Sequence, residues 1–328
     1  MISIIRSNRI ADMLLKLCVA AVLLGLIISK VDFLGAVRSL CAITFWDIVV
    51  CGLIYSVSVF VAAASWKVLV WDCRFAKLVS AMLVGHFYSF VLPGQLFGEA
   101  SKMLYLAKGN PKGTAERYSA SIIVDKLTSL LGLLLIGVIG IIVDWKIEGV
   151  RYIAILLAAL FIAVAVALFL LRFDNVWSLV GKIKEWLDRF QRLNKLSALG
   201  MRFFSAWRNF ARQSGIILAS IVIGTVFQLI LVLLNWYVCQ ALGIPILYHS
   251  LCWIHAVMSL VALLPITIGG IGVREVGYAG LFALLGLDVT NAVSVSLIMF
   301  AVGVAVALVG GLVVLKNMLI KRKKNGNE

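Results

Sequence analysis

The sequence has little charge for its length. Only 14% of its 328 residues are Asp, Glu, Lys or Arg, whereas 63% are hydrophobic, and the mean hydropathy is +1.08. A soluble domain of this size does not need so much apolar surface, so the composition excludes an ordinary soluble protein. The sequence also lacks the alternating segments of about ten residues that build a membrane β-barrel. Membrane-spanning helices are therefore predicted.

Motifs that would indicate catalysis are also missing. The sequence has no Gly-rich phosphate loop, no Ser-x-x-Lys, no His-Glu-x-x-His and no recognisable catalytic triad. The six cysteines form no Cys-x-x-Cys pair and are interpreted as small apolar residues within helices. No metal site, cofactor or catalytic residue is predicted, and the protein is expected not to be an enzyme.

Basic residues outnumber acidic residues by 30 to 15, which gives a formal net charge of +15. No nucleic-acid-binding motif accompanies this charge, so a nucleic-acid partner is not expected. The loops at 30–47, 144–151 and 239–250 hold few basic residues. Most of the basic residues outside these loops fall into five clusters. Because Lys and Arg accumulate in cytoplasmic loops, the clusters and both termini are assigned to the cytoplasm. The clusters lie within residues 6–16, 67–77, 102–117, 172–212 and 316–324.

Six apolar segments have a length of about 20 residues, which is needed to cross a hydrocarbon core of about 30 Å. Two further apolar regions, 78–109 and 251–287, are interrupted by proline and glycine, which end helices. Each arm of these regions is too short to span the membrane comfortably, so each region is predicted to form a re-entrant helical hairpin. The six predicted spans are residues 13–29, 48–66, 118–143, 152–171, 215–238 and 291–315.

The order span, span, hairpin, span occurs twice, and the charge assignment gives the two copies opposite orientations. This order predicts an all-α membrane protein with an inverted repeat, an architecture common among secondary transporters. The first repeat covers residues 1–143, the second covers 144–315, and a basic cytoplasmic tail covers 316–328. Residues 174–213 are predicted to form a basic amphipathic helix at the membrane surface, or alternatively a regulatory or partner-binding segment.

Acidic and basic residues follow both interruptions and also occur within the span at 118–143. Ionisable groups in apolar helices are costly and tend to mark transport paths. Arg274 and Lys102 suit a phosphate headgroup, and the carboxylates either hold these cations in place or carry protons. The alternative is that each pair only stabilises its own helix or lies at the membrane interface. The predicted binding residues are Glu99, Lys102, Asp125, Lys126, Arg274 and Glu275.

The proline and glycine residues of the interruptions are predicted to shape a polar cavity. A backbone break at membrane depth is tolerated only where it is buried in protein or lines such a cavity. The helix that follows the break presents free N–H groups to it, which favour an anion. Glycine additionally allows backbone or ligand to approach closely. The predicted cavity-shaping residues are Pro93, Gly94, Gly98, Pro265, Gly269, Gly270 and Gly272.

Three stretches of the sequence resemble the lysylphosphatidylglycerol synthase transmembrane region, also called the flippase-like family. They are LPGQLFGEASKMLYL from Leu92, SASIIVDKLTSLLGLLLI from Ser119 and LLPITIGGIGVREVGYAGLFALLG from Leu263. The resemblance implies an integral membrane protein that moves, or helps to move, lipid across the bilayer. Some members carry an additional C-terminal synthase domain that aminoacylates phosphatidylglycerol. This sequence ends at KRKKNGNE without that domain, so the synthase chemistry is not expected.

The predicted site residues and the family resemblance together predict a flippase-like transporter in the cytoplasmic membrane of a prokaryote. Its expected partner is a lipid with an anionic headgroup, either a phospholipid or a lipid-linked phosphate, bound between the two opposed hairpins. Two alternatives remain open at this point. One is a membrane-embedded transferase that acts on a lipid headgroup, and the other is a proton-coupled transporter of a small solute.

Overall fold

The computed structural model describes residues 43–91, 95–107, 114–170, 173, 210, 213–263 and 272–325. Within these residues it is all-helical, as predicted, with nine helices. The predicted span at 13–29 and nearly all of the predicted amphipathic helix at 174–213 lie outside the described residues. The helices are α1 (Phe45–Leu69), α2 (Phe75–Val91), α3 (Gln95–Ala107), α4 (Thr114–Val143), α5 (Val150–Leu170), α6 (Ser214–Ala241), α7 (Tyr248–Leu263), α8 (Val273–Leu284) and α9 (Val289–Asn325).

Five of these helices, α1, α4, α5, α6 and α9, are long and apolar enough to cross a membrane. They coincide with five of the six predicted spans, and they identify a multi-pass membrane protein. Helix α9 continues past the predicted end of its span at residue 315, because no proline or glycine lies between Gly311 and Asn325 to end it. Large apolar side chains such as Ile155 and Val166 are exposed on α5, as expected of a surface in contact with lipid.

The first interrupted region forms two short helices that pack side by side. Helix α2 has 17 residues and α3 has 13 residues. The Lys77 ammonium donates to the Leu106 carbonyl at 3.4 Å near one end of the pair. Ser89 lies against Gly98 near the other end. The two helices are therefore antiparallel, and the residues between them, 92–94, lie outside the described part of the chain.

The second interrupted region also forms two short helices, α7 with 16 residues and α8 with 12 residues. They contact one another where Gly277 faces the Met258 side chain. Gly272, immediately before α8, has a φ of 87°, which is a left-handed conformation that favours glycine. Helix α8 therefore begins at a backbone bend that a residue with a side chain would adopt only under strain.

The contacts between helices follow a repeated pattern. Helix α1 packs against α6, α2 packs against α9, and α7 packs against α4. Helices α3 and α8 pack against α4 and α9, respectively. Each of the two short-helix pairs therefore contacts the long helices of both halves of the chain. Apolar side chains fill these contacts around Trp66 on one side and Trp253 on the other.

Polar contacts connect the ends of distant helices. The Tyr237 hydroxyl near the end of α6 donates to the Asp47 carboxylate at the start of α1, at 2.8 Å. Arg117 near the start of α4 makes two hydrogen bonds of 3.1 Å to Asp72 in the loop after α1. Each contact joins two helix ends that the distribution of basic residues assigns to the same side of the membrane.

Candidate functional site

The first cluster of ionisable groups is centred on the carboxylate of Glu99. Its Oε1 atom accepts hydrogen bonds from Lys102 Nζ at 3.0 Å and from Lys126 Nζ at 2.9 Å. Lys102 reaches Glu99 because residues three apart share a face of a helix, here α3. Lys126 comes from α4, which packs against α3. One carboxylate oxygen therefore holds two ammonium groups that belong to different helices.

Glycine allows α2 and α3 to approach one another closely enough to bury part of this cluster. A Cβ atom added to Gly85 would lie 2.5 Å from Cε and 2.6 Å from Cγ of Lys102. A Cβ atom added to Gly98 would lie 2.6 Å from the carbonyl oxygen of Gly85. Gly98 therefore permits helix packing. Pro93 and Gly94, which were predicted to shape the same region, lie outside the described residues.

Asp125 and Lys126 are neighbours in the sequence but have different partners. Asp125 Oδ1 accepts a hydrogen bond of 2.7 Å from the Ser65 hydroxyl of α1. One turn earlier on α4, Ser121 accepts a hydrogen bond of 2.9 Å from the Trp66 indole. These two contacts attach α4 to α1, whereas Lys126 contacts Glu99 on α3. Asp125 is thus held by a neutral hydroxyl and lies within electrostatic range of both lysines.

The second cluster is formed where α8 begins. The Glu275 carboxylate accepts hydrogen bonds from the backbone N–H of Gly272 at 2.6 Å and from the Ser296 hydroxyl at 2.9 Å. It also accepts one from Arg274 Nη2 at 2.7 Å. A carboxylate in the first turn is favourable because it satisfies a free N–H group of the helix. Glu275 is 2% exposed, so this buried charge is compensated by three donors.

Arg274 is fixed from three directions. Its Nη2 atom contacts Glu275, and its Nε atom donates to the Ser296 hydroxyl at 2.8 Å. The guanidinium carbon lies 4.9 Å from the centre of the Phe300 ring, a cation–π contact. The remaining nitrogen, Nη1, makes no hydrogen bond to the residues that the structure describes. The guanidinium is therefore held in one orientation with donors still available.

Aromatic rings connect the two clusters. Phe300 contacts Phe90 of α2 with ring centres 5.8 Å apart, and Phe90 contacts His86 at 5.3 Å. His86 follows Gly85, against which the Lys102 side chain lies. His86 itself is hydrogen-bonded through Nε2 to the Tyr55 hydroxyl at 2.7 Å. Two phenylalanine rings in contact therefore lie between His86, which is next to Gly85, and Arg274.

Sequence reasoning did not find Ser65, Ser296, Phe90 or Phe300. Ser296 carried a weak signal, since it lies among the small residues that begin α9. The phenylalanines carried none, because 17 phenylalanines occur in a sequence that is 63% hydrophobic. Of the predicted cavity-shaping residues in the second interruption, only Gly272 is among the described residues. Pro265, Gly269 and Gly270 lie outside them.

Fold and site define a multi-pass α-helical membrane protein that carries two clusters of ionisable groups within its helices. The chain belongs to the family described as the lysylphosphatidylglycerol synthase TM region, which matches residues 13–311. A UPF0104 membrane protein of Pyrococcus horikoshii is 23% identical over 302 aligned positions, which cover 81% of this chain and 85% of that protein. No solved structure matches the chain. The family resemblance inferred from the three sequence stretches is thus confirmed.

Proposed function

We propose that this protein binds a phospholipid or a lipid-linked phosphate by its anionic headgroup and moves it across the cytoplasmic membrane. The observation that carries the proposal is the arrangement of Arg274. A guanidinium held by Glu275, Ser296 and Phe300 keeps its Nη1 N–H groups for a phosphate oxygen, to which they would make charge-assisted hydrogen bonds. It lies on the first turn of α8, where the helix N-terminus adds further attraction for an anion.

The first cluster supports the same function. Lys102 and Lys126 place two ammonium groups on α3 and α4, held together by Glu99. Lys126 lies nine residues after Arg117 on α4, which corresponds to a depth of about 14 Å along the helix. Cations at such depth are expensive in hydrocarbon and are found where they pair with a carboxylate or with another polar ligand. A lipid headgroup that enters from the membrane would supply such a ligand.

Transport is proposed in preference to catalysis because two of the three carboxylates are already engaged by cations, and the third, Asp125, accepts a hydrogen bond from Ser65. Glu99 contacts two ammonium groups and Glu275 contacts a guanidinium. A general base needs a carboxylate within hydrogen-bond reach of the proton it removes, and these carboxylates are occupied. Their proposed role is to keep the cations in place. The membership in this family supports a membrane-embedded role but leaves the choice between transport and catalysis to experiment.

The helix contacts support an inverted repeat with two re-entrant hairpins and cytoplasmic termini. Helix α2 packs on α9 as α7 packs on α4, which is what a two-fold axis in the membrane plane would produce. Trp46 and Trp145 are exposed near the ends assigned outside, and Trp71 is exposed near the end assigned inside. Exposed tryptophans at both ends agree with two membrane–water interfaces.

Cysteine-accessibility mapping tests this topology. Single cysteines at Leu104 and Tyr105, which are not buried, are expected to react with an impermeant thiol reagent from the cytoplasmic side only. Cysteines at the exposed positions 243, 245 and 247 are expected to react from the outer side only. Labelling of the first group from outside, or of the second group from inside, would show that the proposed topology is wrong. The native cysteines are replaced first, and Cys51, Cys73, Cys239 and Cys252 are all buried.

The function itself is tested with purified protein in vesicles that contain a lipid labelled on its headgroup. Phosphatidylglycerol, phosphatidylcholine and a polyprenyl phosphate are compared, and a membrane-impermeant quencher reports how fast inner headgroups become accessible. Faster access than in protein-free vesicles for at least one phosphate-bearing lipid is expected. Conversion of the lipid to a new headgroup would instead indicate a transferase, and uptake of a water-soluble solute without lipid movement would indicate a solute transporter.

A further inference from the structure

We propose that Lys126 is the cation that contacts the lipid phosphate in the first cluster, and that Lys102 is a positioning residue for Glu99. The inference rests on the proposed function and adds a division of roles between two lysines that share one carboxylate oxygen. Both ammonium groups lie about equally close to Glu99 Oε1, at 2.9 Å and 3.0 Å. Distance alone therefore does not separate them, and the difference lies in their surroundings.

The two lysines differ strongly in exposure. The side chain of Lys126 is 51% exposed, whereas that of Lys102 is 12% exposed. The stem of Lys102 lies directly against Gly85 of α2, where there is no room even for an added Cβ atom. Lys102 is thus confined between α2 and α3. The Lys126 ammonium has a route to an incoming ligand that the Lys102 ammonium lacks.

The shared oxygen makes an exchange possible without an unpaired buried charge. When a phosphate approaches, the Lys126 ammonium can turn from Glu99 towards the phosphate oxygen. Glu99 then remains neutralised by Lys102, so no isolated ion is created. The opposite exchange would require the confined Lys102 side chain to leave its place against Gly85. The geometry therefore makes Lys126 the mobile partner and Lys102 the fixed partner.

The orientation of α4 supports this assignment. Asp125, the preceding residue, is attached to Ser65 of α1 by a hydrogen bond of 2.7 Å. Because successive residues of a helix project about 100° apart, this attachment turns Lys126 away from α1. Lys126 therefore stays beside α3 while its flexible stem, with four rotatable carbons, lets the ammonium move over several ångströms.

Paired glutamine variants test the division of roles, because Lys126→Gln and Lys102→Gln remove the same charge from the same cluster. In the vesicle assay, Lys126→Gln is expected to raise the lipid concentration for half-maximal rate by about tenfold or more, since one charge-assisted hydrogen bond is lost. Its maximal rate should change less than about threefold. Lys102→Gln should instead lower the maximal rate and leave the half-maximal concentration near that of the parent. Lys126→Arg, which keeps the charge, should restore lipid affinity.

A second measurement needs no variant. Amine acylation of the unmodified protein by a water-soluble reagent, read by mass spectrometry, is expected to modify Lys126 and not Lys102. Short-chain phosphatidylglycerol should slow the modification of Lys126, whereas short-chain phosphatidylcholine and inorganic phosphate at the same concentration should slow it less. Equal protection by inorganic phosphate would mean that the site takes a free anion, which would overturn the lipid assignment.

The two measurements distinguish a wrong assignment of Lys126 from a wrong proposal of lipid movement. A parent protein that moves phosphatidylglycerol, with Lys126 acylated equally fast in the presence and absence of that lipid, would overturn the assignment of Lys126 alone. The same holds if Lys102→Gln, and not Lys126→Gln, raises the half-maximal lipid concentration. A parent protein that neither moves nor binds any phosphate-bearing lipid would overturn both.

Discussion

Replacing Arg274 with alanine is expected to abolish lipid movement while the protein still inserts into the membrane. The variant removes the only described cation of the second cluster and the donors that the proposed headgroup would contact. Glu275 keeps two of its three donors, the Gly272 N–H and the Ser296 hydroxyl, so the start of α8 remains capped. Loss of a charged donor to a phosphate should lower the rate by at least about a hundredfold. The measurement is headgroup accessibility in vesicles, with insertion checked by resistance to alkaline extraction from the membrane and folding checked by gel filtration in detergent.

Arg151→Ala is the matched control for this variant. Arg151 is exposed near the start of α5, and its only contact among the described residues is a weak hydrogen bond of 3.4 Å to the Trp145 carbonyl. Its replacement is expected to leave lipid movement at the parent rate. If Arg274→Ala also moves lipid at the parent rate for every candidate lipid, the second cluster is structural and its assignment as a headgroup site is wrong.

Replacing Glu275 with alanine is expected to cause a large loss of stability. The variant leaves the Arg274 guanidinium without its carboxylate and the Gly272 N–H without its acceptor. Breaking a buried ion pair by removing one partner is strongly destabilising, by about 3–5 kcal/mol. The loss of stability is measured by thermal unfolding in detergent, in which the fraction of monodisperse protein is recorded at each temperature.

The double variant Arg274→Ala/Glu275→Ala separates the unpaired charge from the lost helix cap. Because the double variant leaves no uncompensated arginine, it is expected to be more stable than Glu275→Ala alone. Glu148→Ala, at an exposed carboxylate in the loop before α5, should lie within about 0.5 kcal/mol of the parent. A double variant that loses the sum of the two single effects would show that Arg274 and Glu275 do not stabilise one another.

Much of the fold is encoded in local features of the sequence. Five spans follow from apolar runs of about 20 residues. In hydrocarbon, such a segment satisfies its backbone hydrogen bonds by forming a helix. The division of the two remaining apolar regions into helix pairs follows from proline and glycine, which a helix interior does not tolerate. The contact of Glu99 with Lys102 also follows from their spacing, since residues three apart share a helix face.

Partners that come from different helices did not follow from the sequence. Lys126 directly follows Asp125 in the sequence, yet the two side chains contact Glu99 and Ser65 on different helices. Such choices depend on how each helix is rotated about its axis and how close its neighbours lie, which local spacing does not specify. The contact of Phe300 with Arg274 was not predicted for the same reason, since it joins two different helices, α9 and α8.

The net charge of the two clusters determines how a membrane voltage acts on the bound lipid. Among the described side chains, the clusters hold equal numbers of positive and negative groups. These are Lys102, Lys126 and Arg274, and Glu99, Asp125 and Glu275. Under the proposed function, the two clusters with their bound lipid therefore carry the net charge of that lipid. A membrane voltage, negative inside, would drive a monoanionic lipid outward with about 2.3 kcal/mol per 100 mV, and a zwitterionic lipid would feel no such force. Lipid movement that ignores a potassium diffusion potential in the same vesicles would exclude this voltage dependence.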